Sequence, residues 1–185
     1  MIKIEPVQQY YALAKINNFK KHKKVFLDLL DKSEGYPLDI DSQDISKTDW
    51  RVPRETKRIY MDYLLEVVVP IYKQITEKLS YGQFKIDNVW FQQYYKSKYH
   101  EWHIHPETHM SNILYIELPK GSETQIYDPI KDKVTNMKVN EGDLLAMPAY
   151  VWHRSPPNPS DERKTVIVFN SEAKANKPFE HRNNY

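Results

Sequence analysis

The sequence predicts an α+β domain that is mainly β, with helices first and a small antiparallel barrel or jelly roll after them. Apolar residues recur at helical spacing up to about residue 82. Beyond that point, short aromatic and β-branched segments are separated by Gly, Pro, Asn and Asp, which is typical of strands joined by turns. This order predicts helices packed on one outer face of the barrel.

Two segments of the first half have helical periodicity, residues 19–30 and the longer residues 54–79. Pro70 should kink or divide the second segment, because proline has no N–H to donate within a helix. Residues 34–52 contain Pro37, several aspartates and little periodicity, so we expect a loop there.

The second half contains six predicted strands. They are residues 84–95, 112–118, 123–127, 133–139, 143–148 and 164–170. A chain of 185 residues suits one domain, so we expect residues 1–185 to form a single unit. Within it, residues 1–82 would be a helical support, residues 83–172 the β core that carries the site, and residues 173–185 a tail.

Composition excludes several classes of site. The chain has no cysteine, which removes disulfides, thiolate zinc sites, iron–sulfur clusters and cysteine nucleophiles. The net charge of +2 is too balanced to indicate a nucleic acid as partner. The mean hydropathy is −0.76. No apolar run approaches the ~20 residues of a membrane span, and the first residues lack a signal-peptide core. We therefore expect a cytoplasmic protein without a membrane partner.

Histidines concentrate in one short segment, HEWHIHPETH, which contains His100, His103, His105 and His109. On a strand, residues two apart point to the same side, so His103 and His105 would project together. His153 comes about fifty residues later, after a Gly-Asp turn, a short apolar strand and Pro148. Strands that far apart in sequence can lie side by side in a jelly roll. Three histidines could then hold one metal and leave positions open for substrate and O2.

These motifs resemble the Fe(II)- and 2-oxoglutarate-dependent oxygenase superfamily. The matching segments are HIHPETHMSNILYI, GDLLAMPAYVWH and KTVIVFN, at residues 103–116, 142–153 and 164–170. The closest branch has H-x-H-P, then G-D-x-x-x-x-P and a distal His, with a Trp thirteen residues before the first ligand, as Trp90 precedes His103. The resemblance covers roughly residues 88–170 and implies a double-stranded β-helix, a cupin-like jelly roll.

The resemblance implies that His103, His105 and His153 are the metal ligands. The superfamily more commonly has a carboxylate where His105 stands, so this chain would use three histidines, as metal cupins also do. Glu107 and His109 are alternative ligands, although Pro106 interrupts the strand before them.

The resemblance also implies residues that bind the cosubstrate. A basic residue after the distal His would pair with the far carboxylate of 2-oxoglutarate, and both Lys164 and Arg163 fit that pattern. They would point to opposite faces of one strand, so only one can enter the barrel. Counting back from the Phe-Asn end, as the pattern of the branch suggests, favours Lys164, whereas the Arg-x-Ser/Thr pattern of other branches favours Arg163. Tyr115 and Gln92 stand where relatives place groups that contact the cosubstrate.

The implied activity is that of a dioxygenase, in most such enzymes a hydroxylase. It couples oxidative decarboxylation of 2-oxoglutarate by O2 to hydroxylation of a substrate that the sequence does not identify. The oligomeric state is not predicted either.

Two other functions remain open from the sequence. One is a cupin-type metal enzyme that does not use 2-oxoglutarate, although the Glu of the first cupin motif is missing near His109 and Met110. The other is a non-catalytic binding module. In that module, the aromatic residues of segment 90–102, interleaved with Lys96 and Lys98, would stack on nucleic acid or carbohydrate.

Overall fold

A computed structural model of the chain describes residues 10–175, which form two helices and one curled antiparallel sheet of eleven strands. The helices are α1 (Phe19–Lys32) and α2 (Met61–Lys78). The strands are β1 (Ala12–Lys15), β2 (Tyr36–Ile40), β3 (Gln43–Thr48), β4 (Tyr81–Tyr94), β5 (Tyr99–His103), β6 (Met110–Glu117), β7 (Gln125–Asp128), β8 (Lys133–Asn136), β9 (Asp143–Pro148), β10 (Trp152–Ser155) and β11 (Lys164–Ala175).

The sheet curls so that one face becomes the interior of a jelly roll. Its strand order is β1-β9-β6-β11-β4-β3-β5-β10-β7-β8, with β2 paired to β3. The central strand β11 shows the two faces clearly. Val166 and Val168 lie in the interior core, whereas Ile167 and Phe169 lie in a second core beneath the helices. Because both faces of β11 are buried at residues 166–169, this part of the strand is continuously apolar rather than alternating.

Both helices pack on one outer face of the jelly roll, as the sequence predicts. α1 contributes Phe26 and Leu30 to the outer core, and α2 contributes Leu64, Val68 and Tyr72. These apolar side chains recur at three- and four-residue spacings, which places them on the side of each helix that faces the sheet. The predicted mainly β fold with helices on one face is therefore confirmed.

Two local expectations differ from the structure. Of the two predicted effects of Pro70, a kink or a division, the division does not occur, because α2 runs without a break from Met61 to Lys78. The free energy gained by packing one face of the helix exceeds that of the single hydrogen bond that proline removes. Residues predicted as a loop form the hairpin of β2 and β3, so the helical support also contributes strands. Leu38 and Ile45 anchor that hairpin in the interior core, while its aspartates remain at the surface, which hid the strand pattern.

Neither helix within residues 10–175 is long and apolar enough to cross a membrane. His22 lies on α1, where its Nδ1 is 2.8 Å from the hydroxyl of Tyr63. His181 lies outside the described residues.

Candidate metal centre

Three imidazoles converge at one end of the interior. His103 ends β5 and is the register partner of His153 on the antiparallel strand β10. His105 lies two residues beyond β5, where its backbone N–H donates to the carbonyl of Ala149 at 2.9 Å. One nitrogen from each of the three rings lies within 4.8 Å of the other two. The three side chains can therefore share one metal ion.

Each imidazole is oriented by an oxygen atom at its Nδ1. The carbonyl of Glu101 lies 2.7 Å from Nδ1 of His103, and the carbonyl of Val151 lies 2.9 Å from Nδ1 of His153. The side-chain oxygen of Asn170 lies 2.6 Å from Nδ1 of His105. An oxygen acceptor at Nδ1 places the proton there and leaves the lone pair of Nε2 for a metal.

The three histidines are uncharged near neutral pH. Burial lowers the pKa of His103 to about 4, against the opposing effect of its bond to the Glu101 backbone. Burial also lowers the pKa of His105 and moves that of His153 well below its ordinary value. Because a metal binds the neutral imidazole, this environment favours metal binding without a proton to displace.

His100 is a fourth imidazole at this site, and the sequence reasoning gave it no role. Its ring stacks on His103 with centroids 3.8 Å apart and planes 9° apart, and its Nδ1 lies 3.4 Å from Nε2 of Gln92. It is not part of the three-nitrogen cluster. Its only sequence signal is its position in the histidine-rich segment.

The imidazoles line an inner pocket together with Lys164. The Lys164 side chain is 1 % exposed, and its Nζ donates to the carbonyl of Ser122 at 2.6 Å and to Oγ of Ser155 at 2.7 Å. No carboxylate among residues 10–175 lies within 4.0 Å of this Nζ. Burial lowers the pKa of Lys164 to about 7.

Arg163 faces away from this pocket. Its Nε donates to Oε2 of Glu117 at 2.7 Å and its guanidinium reaches Oδ1 of Asp31 at 3.0 Å, on the helix side of the sheet. The alternation along β11 thus brings Lys164, and not Arg163, beside the three histidines.

The other predicted cosubstrate contacts differ in their position. Gln92 lines the inner pocket, where its side-chain oxygen accepts from the hydroxyl of Tyr94 at 2.9 Å. Tyr115 is buried, and its hydroxyl donates at 2.6 Å to Oγ1 of Thr124, which itself lines the pocket. Tyr115 therefore lies one hydrogen bond behind the pocket wall. Tyr94, which the sequence reasoning treated as packing or stacking, lies in that wall.

The alternative ligands do not join the cluster. Nδ1 of His109 accepts from the backbone N–H of Ala173 at 3.0 Å, so this imidazole holds the end of β11. Glu107 is exposed and has a φ of 63°, in the turn that carries the chain away from the site.

Three of the six aromatic residues in the aromatic and basic segment are buried and both of its lysines are paired, whereas Tyr95 is exposed. Trp90, Phe91 and Tyr94 are each at most 4 % exposed, because they belong to the two cores. Lys96 pairs with Asp161 at 3.0 Å and Lys98 with Asp44 at 2.6 Å.

A second, more open cavity meets the other side of the histidines. This outer cleft has a volume of about 300 Å³. It shares His103, His105, Trp90, Gln92 and His100 with the inner pocket. Its remaining lining comes from β3, the loop that follows β3, the turn after β5, Asn88 on β4 and Asn170 on β11. A ligand in the outer cleft would therefore lie against the same imidazoles.

No family model and no curated protein matches the sequence. Solved structures do match the fold. A viral collagen prolyl hydroxylase from Paramecium bursaria Chlorella virus-1, in complex with 2-oxoglutarate, has a TM-score of 0.63 at 12% identity and covers 90% of this chain and 97% of its own. The epimerase SnoN of nogalamycin biosynthesis, described as α-ketoglutarate dependent, has a TM-score of 0.66 at 10% identity, with coverage of 88% and 77%.

An oxidoreductase of the 2OG-Fe(II) oxygenase family from Burkholderia pseudomallei has a TM-score of 0.63 at 11% identity, over 84% of this chain and 83% of that one. At such low identity these similarities establish the fold and not the reaction. The resemblance seen in the sequence is thus confirmed at the level of architecture: the chain has the jelly-roll fold of the 2OG-Fe(II) oxygenases.

Proposed function

We propose that this protein is an oxygenase that uses Fe(II), 2-oxoglutarate and O2 to hydroxylate an organic substrate. The observation that carries the proposal is a buried lysine without a carboxylate partner in the same pocket as three neutral imidazoles. A buried ammonium is unfavourable unless an anion compensates it, so Lys164 points to an anionic ligand.

The donor set suits a redox-active iron. His103, His105 and His153 offer three nitrogen ligands and no thiolate, and each ring is oriented through its Nδ1. Three protein ligands on a six-coordinate ion leave positions for a chelating cosubstrate and for O2. The fold similarity to 2OG-Fe(II) oxygenases supports iron over the other metals that imidazole binds.

The charge of Lys164 in the same pocket suits one carboxylate of a dicarboxylate. Lys164 would hold the far carboxylate, which orients the other end of the cosubstrate toward the imidazoles. Val166, Val168 and Ile113 line the pocket and would exclude water. When bound, Fe(II) and 2-oxoglutarate would activate O2, the oxidant for C–H hydroxylation, with 2-oxoglutarate converted to succinate and CO2. This protein would contribute position and a dry environment.

A second candidate is a cupin-type metal enzyme that does not use 2-oxoglutarate. The observation that favours it is the small free space in the inner pocket, about 30 Å³, which is room for about one water molecule. For 2-oxoglutarate to bind, polar side chains such as Gln92 or Arg154 at this pocket must move. The cupin candidate offers no partner for the buried ammonium of Lys164, so we prefer the oxygenase.

Anaerobic spectroscopy tests the proposal. Adding Fe(II) and then 2-oxoglutarate to the protein should produce a weak visible charge-transfer band, and air should then yield succinate slowly without added substrate. His153→Ala should abolish both signals. His22→Ala, which removes an imidazole from α1 far from the inner pocket, should retain them. If the protein retained iron but gave neither signal, the oxygenase proposal would be rejected in favour of the cupin candidate.

A further inference from the structure

The outer cleft has a lining that indicates what kind of substrate it accepts. A volume of about 300 Å³ is at the lower end of the range for small-molecule sites. Its inner wall contains His103 and His105, so a ligand bound there has its reacting carbon beside the proposed iron ligands.

An exposed indole lines one side of the cleft. Trp50 is 46 % exposed, although it packs edge-on against the buried Trp90 with ring centroids 4.5 Å apart. This contact fixes the ring while leaving much of its surface uncovered. A fixed, exposed aromatic surface in a concavity favours a planar or apolar part of a ligand.

An unpaired guanidinium lies in the same loop. Within residues 10–175, Arg54 makes no ion pair and no hydrogen bond, in contrast to its neighbours Lys57 and Arg58. The only acidic residue in the cleft lining, Glu107, is not within ion-pair distance of Arg54. The Arg54 guanidinium is therefore available to an anionic group, which it can bind through two parallel hydrogen bonds.

The opposite wall contains carboxamides with unused hydrogen-bonding capacity. Asn88 on β4 is 8 % exposed, and its side chain forms no hydrogen bond with the part of the chain that the structure describes. Its register partner Asn170 on β11 uses its oxygen to orient His105 and has its amide nitrogen left over. Because these amide groups line the cleft, they can donate to or accept from polar groups of a ligand.

The loop that presents Trp50 and Arg54 is held rigidly. The buried carboxylate of Asp49 accepts from Nε of Arg58 at 2.8 Å, from the hydroxyl of Tyr60 at 2.7 Å and from the backbone N–H of Phe91 at 2.8 Å. Phe91 neighbours Trp90 on β4, so this network ties the loop to the strand that lines both cavities. Rigid presentation reduces the entropy lost when a ligand binds.

We propose that the outer cleft binds the primary substrate and that this substrate is a small amphipathic anion. It carries a planar or apolar part that contacts Trp50 and a carboxylate or phosphate monoester that pairs with Arg54. The inference names the substrate class of the proposed oxygenase and rests on that function, but the binding step needs neither iron nor 2-oxoglutarate.

Binding of three matched probes tests the inference without catalysis. The probes are phenylacetate, phenyl phosphate and the neutral phenylacetamide, titrated at low ionic strength into ¹⁵N-labelled protein. The four tryptophans give four indole N–H signals, and Trp50→Phe identifies the one from Trp50. We expect an anionic probe to shift that signal and to bind more tightly than the amide. The anion that binds more tightly shows whether the cleft prefers carboxylate or phosphate substrates.

Arg54→Gln should weaken binding of the anionic probe about fivefold, because one exposed ion pair of about 1 kcal/mol is lost. Binding of phenylacetamide should be unchanged. Arg51→Gln is the matched control, because Arg51 is exposed in the same loop but does not line the cleft. An unshifted Trp50 signal, equal binding of amide and anions, or equal effects of the two arginine variants would overturn the inference. The iron and succinate signals of the proposed oxygenase are measured separately, so either idea can fail alone.

Discussion

At the scale of single residues, Lys164 combines a cost to folding with a proposed role in binding. Its ammonium has two oxygen acceptors but no counter-charge in the pocket. Burial therefore brings its pKa to about 7, near the working pH of most proteins. A group held in that state binds an incoming carboxylate strongly, because the anion supplies the compensation that the protein lacks.

The neighbouring arginine gives a matched comparison. Lys164→Met should raise the 2-oxoglutarate concentration needed for half-maximal succinate formation about 10- to 100-fold, since a hydrogen bond to a charged group is worth about 1.5–3 kcal/mol. Arg163→Met should leave that concentration nearly unchanged, because Arg163 bonds to Glu117 and Asp31 outside the pocket. The measurement is a steady-state titration of 2-oxoglutarate with each variant. The reverse ranking would show that the cosubstrate contacts the other face of β11.

The pKa of Lys164 also predicts a pH dependence. Below a pH of about 7 the side chain is charged, and above it the neutral amine dominates. Affinity for 2-oxoglutarate should therefore fall about tenfold between about pH 6 and about pH 8, while both carboxylates of the ligand stay ionised. Titrations of the iron-loaded, oxygen-free protein at several pH values measure this. Lys164→Arg should remove the dependence, because guanidinium stays charged, and an unchanged slope in that variant would assign the titration to another group.

At the scale of elements, the turn before β9 shows how the Gly-Asp motif serves the fold. Gly142 has a φ of 82°, and its N–H donates to Tyr115 while its carbonyl accepts from Ile16, both at 2.8 Å. A Cβ at this position would overlap the ring of Phe19 at the start of α1. The glycine thus lets the turn, strand β6 and helix α1 meet closely.

Gly142→Ala should destabilise the protein by about 2–4 kcal/mol, the sum of left-handed strain and forced repacking of Phe19. Gly121→Ala is the control, because Gly121 also has a left-handed φ of 88° but its Cβ would lie 3.0 Å from only the ring of Pro159. It should cost about 1–2 kcal/mol. Urea unfolding of both variants gives the comparison. Equal losses would mean that Phe19 moves aside freely.

The spacing of apolar residues predicted both helices and strand β9. It did not predict the β2–β3 hairpin, which is stabilised by pairing with other strands. β9 lies within the predicted limits, and both helices lie within or close to theirs, because apolar side chains alone define them. The β2–β3 hairpin is polar along much of its length and depends on its pairing with β4 and β5. Such contacts join residues distant in sequence, which local patterns do not record.

Part of the candidate site was predictable from the sequence, because the alternation of side chains along a strand is a local pattern. Strand alternation predicted that His103 and His105 lie together. Their rings do lie near each other, but β5 ends at His103 and a turn carries His105, so alternation along a strand is not the reason. The alternation on β11 separated Lys164 from Arg163 as expected. Trp50 and Arg54 had no motif, since a loop and not a repeated pattern places them at the cleft.

At the scale of the whole molecule, the proposed metal would join strands that are far apart in sequence. β5 and β10 are neighbours in the curled sheet, and β11, between β4 and β6, supplies Lys164 to the inner pocket and Asn170 to the outer cleft. The three histidines therefore lie where the closing of the sheet brings separate strands together. A ligand that binds only this closed arrangement must stabilise the folded state.

Metal binding should consequently raise the thermal unfolding temperature. At a metal concentration about 100 times its dissociation constant, the gain is about 2.7 kcal/mol, which corresponds to roughly 5–10 °C for a chain of this size. Anaerobic calorimetry with Fe(II), or with Mn(II) as a stable substitute, measures the shift. His22→Ala should show the full increase, because its imidazole contacts Tyr63 outside the site. His153→Ala should show little or none, since only two of the three clustered nitrogens remain. If the metal raised the unfolding temperature of His153→Ala as much as that of the unmodified protein, the ion would bind elsewhere and would not stabilise the pairing of these strands.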